Sequence, residues 1–427
     1  MSGMIREINA DQYGAEVLNG GKVVLDFYST ECPPCEALAS KYDGLSGIYG
    51  EDIRFLKIFR QGNRGLADSL GVASSPTLLF YDNGRLLDGR LTGGIHRSEI
   101  AHRLEQLLPP SRVQQLRGKV APVTTECDVL ILGGGPAGLT AGIYLAQAHV
   151  KTMVVDTALT GGFVATTHQV SNYPGFPDAL NGYMLSHYIS EQAKKAGVVF
   201  RAAAEVSAVD MERKTALLDD FETIRARAMI LATGSTPRPL GVPGEKEYRG
   251  TGISYCATCD AKLYEGKDVV VIGGGNSAVE ESLFISRFAR RVTIVHQFAQ
   301  LQANKEAQSQ AFENPKIDFI FEHEPRAFIR HGDMDMEVEV ENLRDGSRSG
   351  LRAHGVFIFV GFIPNVPPSA GTLKRDAGGY VVTDEKMRTN LPGVYAVGDV
   401  RSKPYRQITT ATADGTIAAI ALSQEIS

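Results

Sequence analysis

Short apolar runs alternate with helix-period segments along most of this chain, and glycine-rich turns join several of them. Val23 to Tyr28 (VVLDFY) reads as a strand, followed by Cys-Pro-Pro-Cys and an apolar-periodic helix from about Glu36 to Tyr49. Arg54 to Ile58 and Thr77 to Tyr81 fit further strands, with a turn at Asp82-Asn83-Gly84 and a helix from about Ser98 to Leu107. Residues 1–108 therefore read as a small α/β unit. Residues 109–126 carry three prolines, several polar residues and no sustained apolar period, which predicts an interdomain linker. From Cys127 to Ser427 strands and helices alternate again around two glycine-rich strand-to-helix turns, a pattern that predicts two doubly wound domains.

A length of 427 residues suits two or three such domains. With 43% hydrophobic and 22% charged residues, sizeable cores can form. The net charge of -5 offers neither a basic patch for nucleic acid nor a polybasic stretch for a membrane surface. The N-terminal residues lack a basic segment followed by an apolar run, and no apolar stretch approaches the ~18 residues of a membrane span. Val356 to Phe362, the longest candidate, reads as a strand. The expectation is a cytoplasmic protein with no membrane or nucleic-acid partner.

The first glycine turn is DVLILGGGPAGLTAGIYLA, in which Gly133, Gly135 and Gly138 form G-x-G-x-x-G directly after a strand, with Pro136 and Ala137 opening the helix. Gly133 allows the tight turn, Gly135 lets backbone approach a pyrophosphate, and Gly138 lets helix pack close to strand. The helix N-terminus adds free N–H groups for phosphate. Asp156 ends the next strand 23 residues after Gly133, about where a ribose-binding carboxylate belongs. The second turn, DVVVIGGGNSAVEESLFIS, has Gly273 and Gly275, then Asn276 and Ser277, and Ala278 at the third glycine position. Its paired strand ends at His296 with no carboxylate after it, so a dinucleotide is predicted while ribose recognition is left unexplained.

Of five cysteines, four form two C-x-x-C pairs, Cys32/Cys35 and Cys256/Cys259. In a reducing cytoplasm such pairs point to redox or metal sites rather than structural disulfides. Zinc would need both pairs at one tetrahedral centre, and no flanking Cys or His completes either set, so no metal is expected. Cys32 precedes a helix, whose N-terminus stabilises a thiolate. Asp260, next to Cys259, is placed to exchange protons with a thiolate or a reduced flavin. Cys127 reads as a small residue starting a strand. Asp26 inside the apolar strand is costly unless used or paired.

These residues resemble two families joined in one chain. Cys127 to Ser427 resembles the low-molecular-weight thioredoxin reductases through GGGPAG, Gly161-Gly162, TTHQVSNYPGF, ATGS, YCATCD, GGGNSA, GVYAVGD and YRQITTA. The resemblance implies FAD held by the first glycine turn, Asp156, Thr167, Asn172, Gly398-Asp399 on the ribityl side and Arg406-Gln407-Ile408 near the isoalloxazine. It implies a redox disulfide Cys256–Cys259 with Asp260 as acid–base, Cys259 against the flavin and Cys256 attacking the partner. It divides the chain into an FAD domain (127–240 and 366–427) and a nicotinamide domain (241–365) that rotates about hinges near 235–240 and 361–365, in a homodimer. Residues 1–108 resemble thioredoxin through Asp26 as proton acceptor, Cys32/Cys35, Lys57, Pro76 as a cis-proline, and Gly94.

Two departures shape the expected function. Thioredoxins place Trp before the first cysteine and Gly-Pro between the two; this chain has Glu31, Pro33-Pro34 and no Trp. A carboxylate near Cys32 opposes thiolate formation. NADPH-dependent reductases carry a His-Arg-Arg run and a further Arg, whereas the equivalent stretch is His296-Gln297-Phe298-Ala299-Gln300-Leu301-Gln302. Charge-assisted hydrogen bonds worth about 1.5 to 3 kcal/mol each are thereby lost to a 2′-phosphate. NADH is expected over NADPH, with ferredoxin as the alternative donor. The expected path runs from FAD through Cys256–Cys259 to Cys32–Cys35 and on to thioredoxin-like or other protein disulfides. Rival expectations are a flavoprotein serving a peroxiredoxin, as in alkyl hydroperoxide reductase, and an N-terminal domain that only docks. An 18-residue flexible linker gives the first domain a reach of about 21 to 25 Å.

Overall fold

The computed structural model describes residues 5–167, 170, 172–332, 335–368 and 371–426, without the side chains of 258 and 259. In the first unit the strands are β1 (Ile5–Ile8), β2 (Lys22–Tyr28), β3 (Arg54–Phe59), β4 (Thr77–Asp82), β5 (Arg85–Leu86) and β6 (Leu91–Thr92). They lie in the order β1-β3-β2-β4-β5, with β6 also on β4; β1, β3 and β2 are parallel and β4 runs against β2. Five consecutive residues of β2, Val23 to Phe27, are buried. That is why this strand reads as a continuous apolar run rather than an alternating one. The helices α1 (Pro33–Tyr49), α2 (Arg64–Ser69) and α3 (Arg97–Glu105) complete a thioredoxin fold. Leu38 and Leu45 of α1 pack with Ile100 and Leu104 of α3 in one core layer.

The segment 109–126 differs from the expected linker. Residues Pro110–Arg117 form α4, started by Pro110 in the first helical turn, where its missing N–H costs nothing. Leu116 is fully buried in the first unit's core, and Arg112 and Arg117 hold Asp52 and Glu105. Two aliphatic residues in eight, Val113 and Leu116, of which only Leu116 is buried, were too few for a helical period to show in the sequence. Only residues 118–122 separate α4 from the next strand, a span of at most about 20 Å when fully extended.

The second unit begins with β7 (Val123–Leu132), α5 (Pro136–Gln147), β8 (Thr152–Val155), α6 (Gly182–Ala196), β9 (Val199–Arg201), β10 (Val206–Asp210), β11 (Thr215–Leu218) and β12 (Glu222–Leu231). The sheet order is β10-β11-β12-β7-β8-β9, with β12, β7, β8 and β9 parallel. After β13 (Ser235–Pro237) the chain builds a second Rossmann-like layer from β14 (Ile253–Ser254), α7 (Ala257–Asp260), β15 (Asp268–Ile272), α8 (Asn276–Ile285), β16 (Arg291–His296), α9 (Lys305–Glu313) and β17 (Ile317–Phe321). A three-stranded antiparallel sheet follows, β18 (His323–Arg330), β19 (Met336–Asn342) and β20 (Arg348–Ala353), before β21 (Gly355–Ile358) enters the parallel order β14-β21-β15-β16-β17. The chain returns through β22 (Phe362–Pro364), which pairs antiparallel with β13. Then β23 (Val394–Ala396) joins β12, and α10 (Ile408–Ile426) packs on α5 around Ala137, Ala141, Ala418 and Ala419. No helix among the described residues is long and apolar enough to cross a membrane.

Candidate active site

In the first unit, Cys32 caps α1: its Sγ accepts the Cys35 N–H at 3.3 Å, and Cys32 and Cys35 are joined in a disulfide. Pro33 and Pro34 follow at positions that need no N–H. The Ser75 carbonyl lies 3.6 Å from Cys32 Sγ, and the Ser75–Pro76 bond is cis. Asp26, on β2, is 8% exposed, and burial lifts its carboxyl to about 7 against the opposing pull of Lys57. Its Oδ1 has no hydrogen-bond partner, and the Lys57 ammonium pairs with Glu7 at 3.4 Å. A carboxyl poised near neutrality in an apolar wall can hold or release one proton at working pH.

The two glycine turns share one architecture. Gly133 has φ +108° and a Cβ there would collide with the Ala232 carbonyl, while one on Gly138 would strike the Gly133 carbonyl. Beneath the turn Asp156 Oδ2 accepts from Gly134 N at 2.6 Å and Oδ1 from Ala158 N at 2.8 Å. Burial raises its pKa, opposed by these backbone N–H groups. In the second turn Gly273 has φ +131°, and a side chain on Gly274 would overlap the ring of His296. His296 is buried, its pKa is lowered by burial, and its Nε2 is unpartnered. Gly275 caps α8, Ala278 is fully buried beside Gly273, and Asn276 Oδ1 accepts from Asn304 N at 2.7 Å.

A cavity of 1190 Å³ opens over the first turn. Gly133, Gly135, Pro136, Ala137, Asp156 and Thr167 line one side, and Gly398, Asp399, Arg406, Gln407 and Ile408 the other. Asn172 reaches Gln407 at 3.4 Å, and the Arg406 guanidinium stacks 3.9 Å over Tyr380. The residues present fit a flavin dinucleotide: Thr233 Oγ1 and Arg406 Nε are buried on the cavity wall without hydrogen-bond partners, as groups awaiting a polar ligand are.

Cys256 lines this same cavity, together with Ser277, Glu280 and Glu281 of α8. The structure thus brings Ser277, expected at the nicotinamide turn, to the first cavity. Cys256 is disulfide-bonded; the side chain of Cys259, its expected partner, lies outside the described residues. Asp260 Oδ2 accepts from Ser254 Oγ at 2.6 Å, and Ser254 Oγ accepts from Cys256 N at 3.1 Å. Cys127 is a free thiol in β7, raised to about 11 mainly by burial.

Sequence reasoning missed Asp414, buried inside α10. It accepts from Gly398 N (3.1 Å), Arg401 (3.0 Å) and Lys403 (3.1 Å), and Lys403 also meets Asp399 at 3.3 Å. The signal was present: a lone carboxylate within the apolar run of α10 needs partners.

Residues 127–415 match the pyridine nucleotide-disulphide oxidoreductase family, and residues 4–106 match thioredoxin. The chain belongs to the pyridine nucleotide-disulphide oxidoreductases and is a flavoprotein disulfide reductase with a fused thioredoxin domain carrying the redox-active Cys32–Cys35 pair. Within that family it is a flavoprotein oxidoreductase of the thioredoxin-disulfide reductase type. It is 42% identical over 291 residues to the thioredoxin reductase of Listeria innocua, covering 68% of this chain and 91% of that one. A 34.2 kDa protein in the rubredoxin operon of Clostridium pasteurianum is 39% identical over 296 residues, covering 69% and 96%. The structure of thioredoxin reductase from Streptococcus pyogenes superposes with a TM-score of 0.64 at 38% identity, over 70% of this chain and 97% of that one.

Proposed function

We propose that this chain is an NADH-driven reductase of protein disulfides that passes electrons from its Cys256–Cys259 pair to Cys32–Cys35 of its own thioredoxin domain. What carries the reading is the position of Cys256 on the wall of the dinucleotide cavity, in a chain that also holds a second redox pair. FAD, held by the first glycine turn, Asp156, Thr167, Asn172, Gly398-Asp399 and Arg406 to Ile408, supplies the two-electron relay between nicotinamide and disulfide. On reduction Asp260 gives up a proton to one sulfur of the opened pair. The Cys256 thiolate attacks the Cys32–Cys35 disulfide, a mixed disulfide forms, and Cys259 resolves it, leaving two thiols on the thioredoxin domain and re-forming Cys256–Cys259. Cys32 and Cys35 then reduce an outside protein disulfide, a peroxiredoxin among the candidates.

NADH is favoured because neither Lys nor Arg stands in the stretch 296–302 at the end of β16. The boundaries 127–240 and 366–427 for the flavin domain and 241–365 for the nicotinamide domain belong to this reading, with the β13–β22 crossing as its hinge. So does a homodimer: Tyr183, Met184 and Tyr188 on α6 and Ile417 and Ile420 on α10 are exposed apolar groups that a second copy would cover. A cytoplasmic location suits the free Cys127.

The test is anaerobic titration of the FAD-loaded protein with NADH and, separately, NADPH, followed by alkylation and mass spectrometry of all five cysteines. Bleaching of the flavin by NADH with Cys32 and Cys35 turning alkylatable supports the proposal. Faster bleaching by NADPH removes the donor assignment, and Cys32 and Cys35 staying oxidised removes the internal transfer.

A further inference from the structure

The thioredoxin domain is seated on the flavin domain through a polar contact centred on Lys41. This lysine, on α1, is 8% exposed, and its ammonium donates to the carbonyls of Ile95 (3.0 Å), Ala202 (3.0 Å) and Ala203 (2.6 Å). Three N–H donors thus meet three acceptors, two of them on the other domain. Around it Glu36 pairs with Lys194 at 2.5 Å, Ser98 donates to Glu205 at 2.5 Å, and the Arg97 guanidinium lies 4.5 Å over the Phe221 ring.

The contact also covers part of the exchange face. Thr77, next to Pro76, pairs with Thr92, so residues 93–95 emerge beside the loop that touches Cys32. A Cβ on Gly94 would stand 3.3 Å from Leu159 Cγ of the flavin domain. A cleft of 390 Å³ runs between the domains, lined by Pro33, Lys41, Leu159 and Asp219. Among the described residues, none lines both this cleft and the cavity that holds Cys256. A few polar contacts around an open cleft have the character of a transient interface, not of a fused core.

We propose that this arrangement is a parked state, latched by Lys41, and that the thioredoxin domain must leave it, swinging about residues 118–122, before Cys32–Cys35 can meet Cys256. The proposal rests on the internal transfer proposed above. The tether is short enough to keep the domain within reach and allows rotation rather than free diffusion.

The experiment uses the full-length, FAD-loaded enzyme. Zero-length carbodiimide coupling reports parking, because Glu36 and Lys194 are in contact only when docked. Lys41→Glu sets a carboxylate against three carbonyls, which shifts docking by at least about a hundredfold. Its Glu36–Lys194 crosslink, quantified by peptide mass spectrometry, should fall more than about tenfold, with flavin reduction by NADH and the melting of the flavin domain unchanged. A second variant, Gly94→Cys with Leu159→Cys, locks the domain in place once peptide mapping has shown the new disulfide. It should keep flavin reduction and lose reduction of Cys32–Cys35.

An undiminished crosslink in Lys41→Glu overturns the latch, and wild-type reduction of Cys32–Cys35 in the locked variant overturns the need to undock. If Cys32–Cys35 stays oxidised even in the wild type, the internal transfer fails, and the crosslink yields alone still decide the latch.

Discussion

Asp156, directly after β8, and His296, the last residue of β16, hold equivalent places in their two nucleotide folds, each lying against the middle glycine of its turn, Gly134 or Gly274. One offers a carboxylate that grips a backbone N–H. The other fills the space with a buried imidazole and has Phe298 edge-on at 5.3 Å. Neither His296 nor residues 297–302 bring a fixed positive charge. The double substitution Gln297→Arg with Phe298→Arg should therefore raise the affinity for NADPH by at least about tenfold, one charge-assisted hydrogen bond's worth, and leave NADH nearly unchanged. Stopped-flow flavin bleaching under anaerobic conditions measures both.

The chain Asp260–Ser254–Cys256 ties a carboxylate to a disulfide-bonded cysteine through one hydroxyl. Asp260→Asn should slow disulfide reduction by about 10² to 10⁴-fold while hydride delivery from nicotinamide stays fast. Ser254→Ala should have a smaller effect in the same step, since it frees the carboxylate without removing it. Separate half-reaction kinetics distinguish the two steps.

Asp26 carries its own pH signature. Its carboxyl sits at about 7 in the fold against an ordinary 3.8. Between those values the folded protein holds a proton that the unfolded chain has released, so stability falls as pH rises across that window. The loss is complete above pH 7 and amounts to at most about 4 kcal/mol. Asp26→Asn should thus stabilise the thioredoxin domain at pH 8 and change little at pH 3.5. Denaturant titrations at the two pH values check this, and reduction of a protein substrate should lose its inflection near pH 7.

Asp414 is the strongest stability prediction. Its side chain is 8% exposed and neutralises Lys403 and Arg401, which are 5% and 16% exposed. Asp414→Ala leaves Arg401 with only the Thr383 hydroxyl and Lys403 with Asp399 and the Thr410 hydroxyl, and removing one partner of a buried pair costs up to about 3 to 5 kcal/mol. Because Gly398 N loses its acceptor as well, flavin should be released at lower denaturant concentration than in the wild type, as followed by flavin fluorescence.

What the sequence alone determined was local in origin: the two glycine turns, the two C-x-x-C pairs with the first at a helix start, the buried strand around Asp26, and the missing cations after His296. Each depends on residue types at short fixed spacings, where backbone geometry leaves few choices. Tertiary structure decided the rest. Within segment 109–126, Pro110–Arg117 form helix α4, with Leu116 in the core of the first unit and Arg112 and Arg117 on its carboxylates. Ser277 reached the cavity over the first glycine turn because the second Rossmann-like layer sits against it, and Asp414 found its cations only where α10 meets the Gly398 turn. Lys41 shows the same cause at the largest scale. On α1 it reads as an ordinary surface lysine, and only the approach of a second domain supplies carbonyls that no spacing along the chain could have foretold.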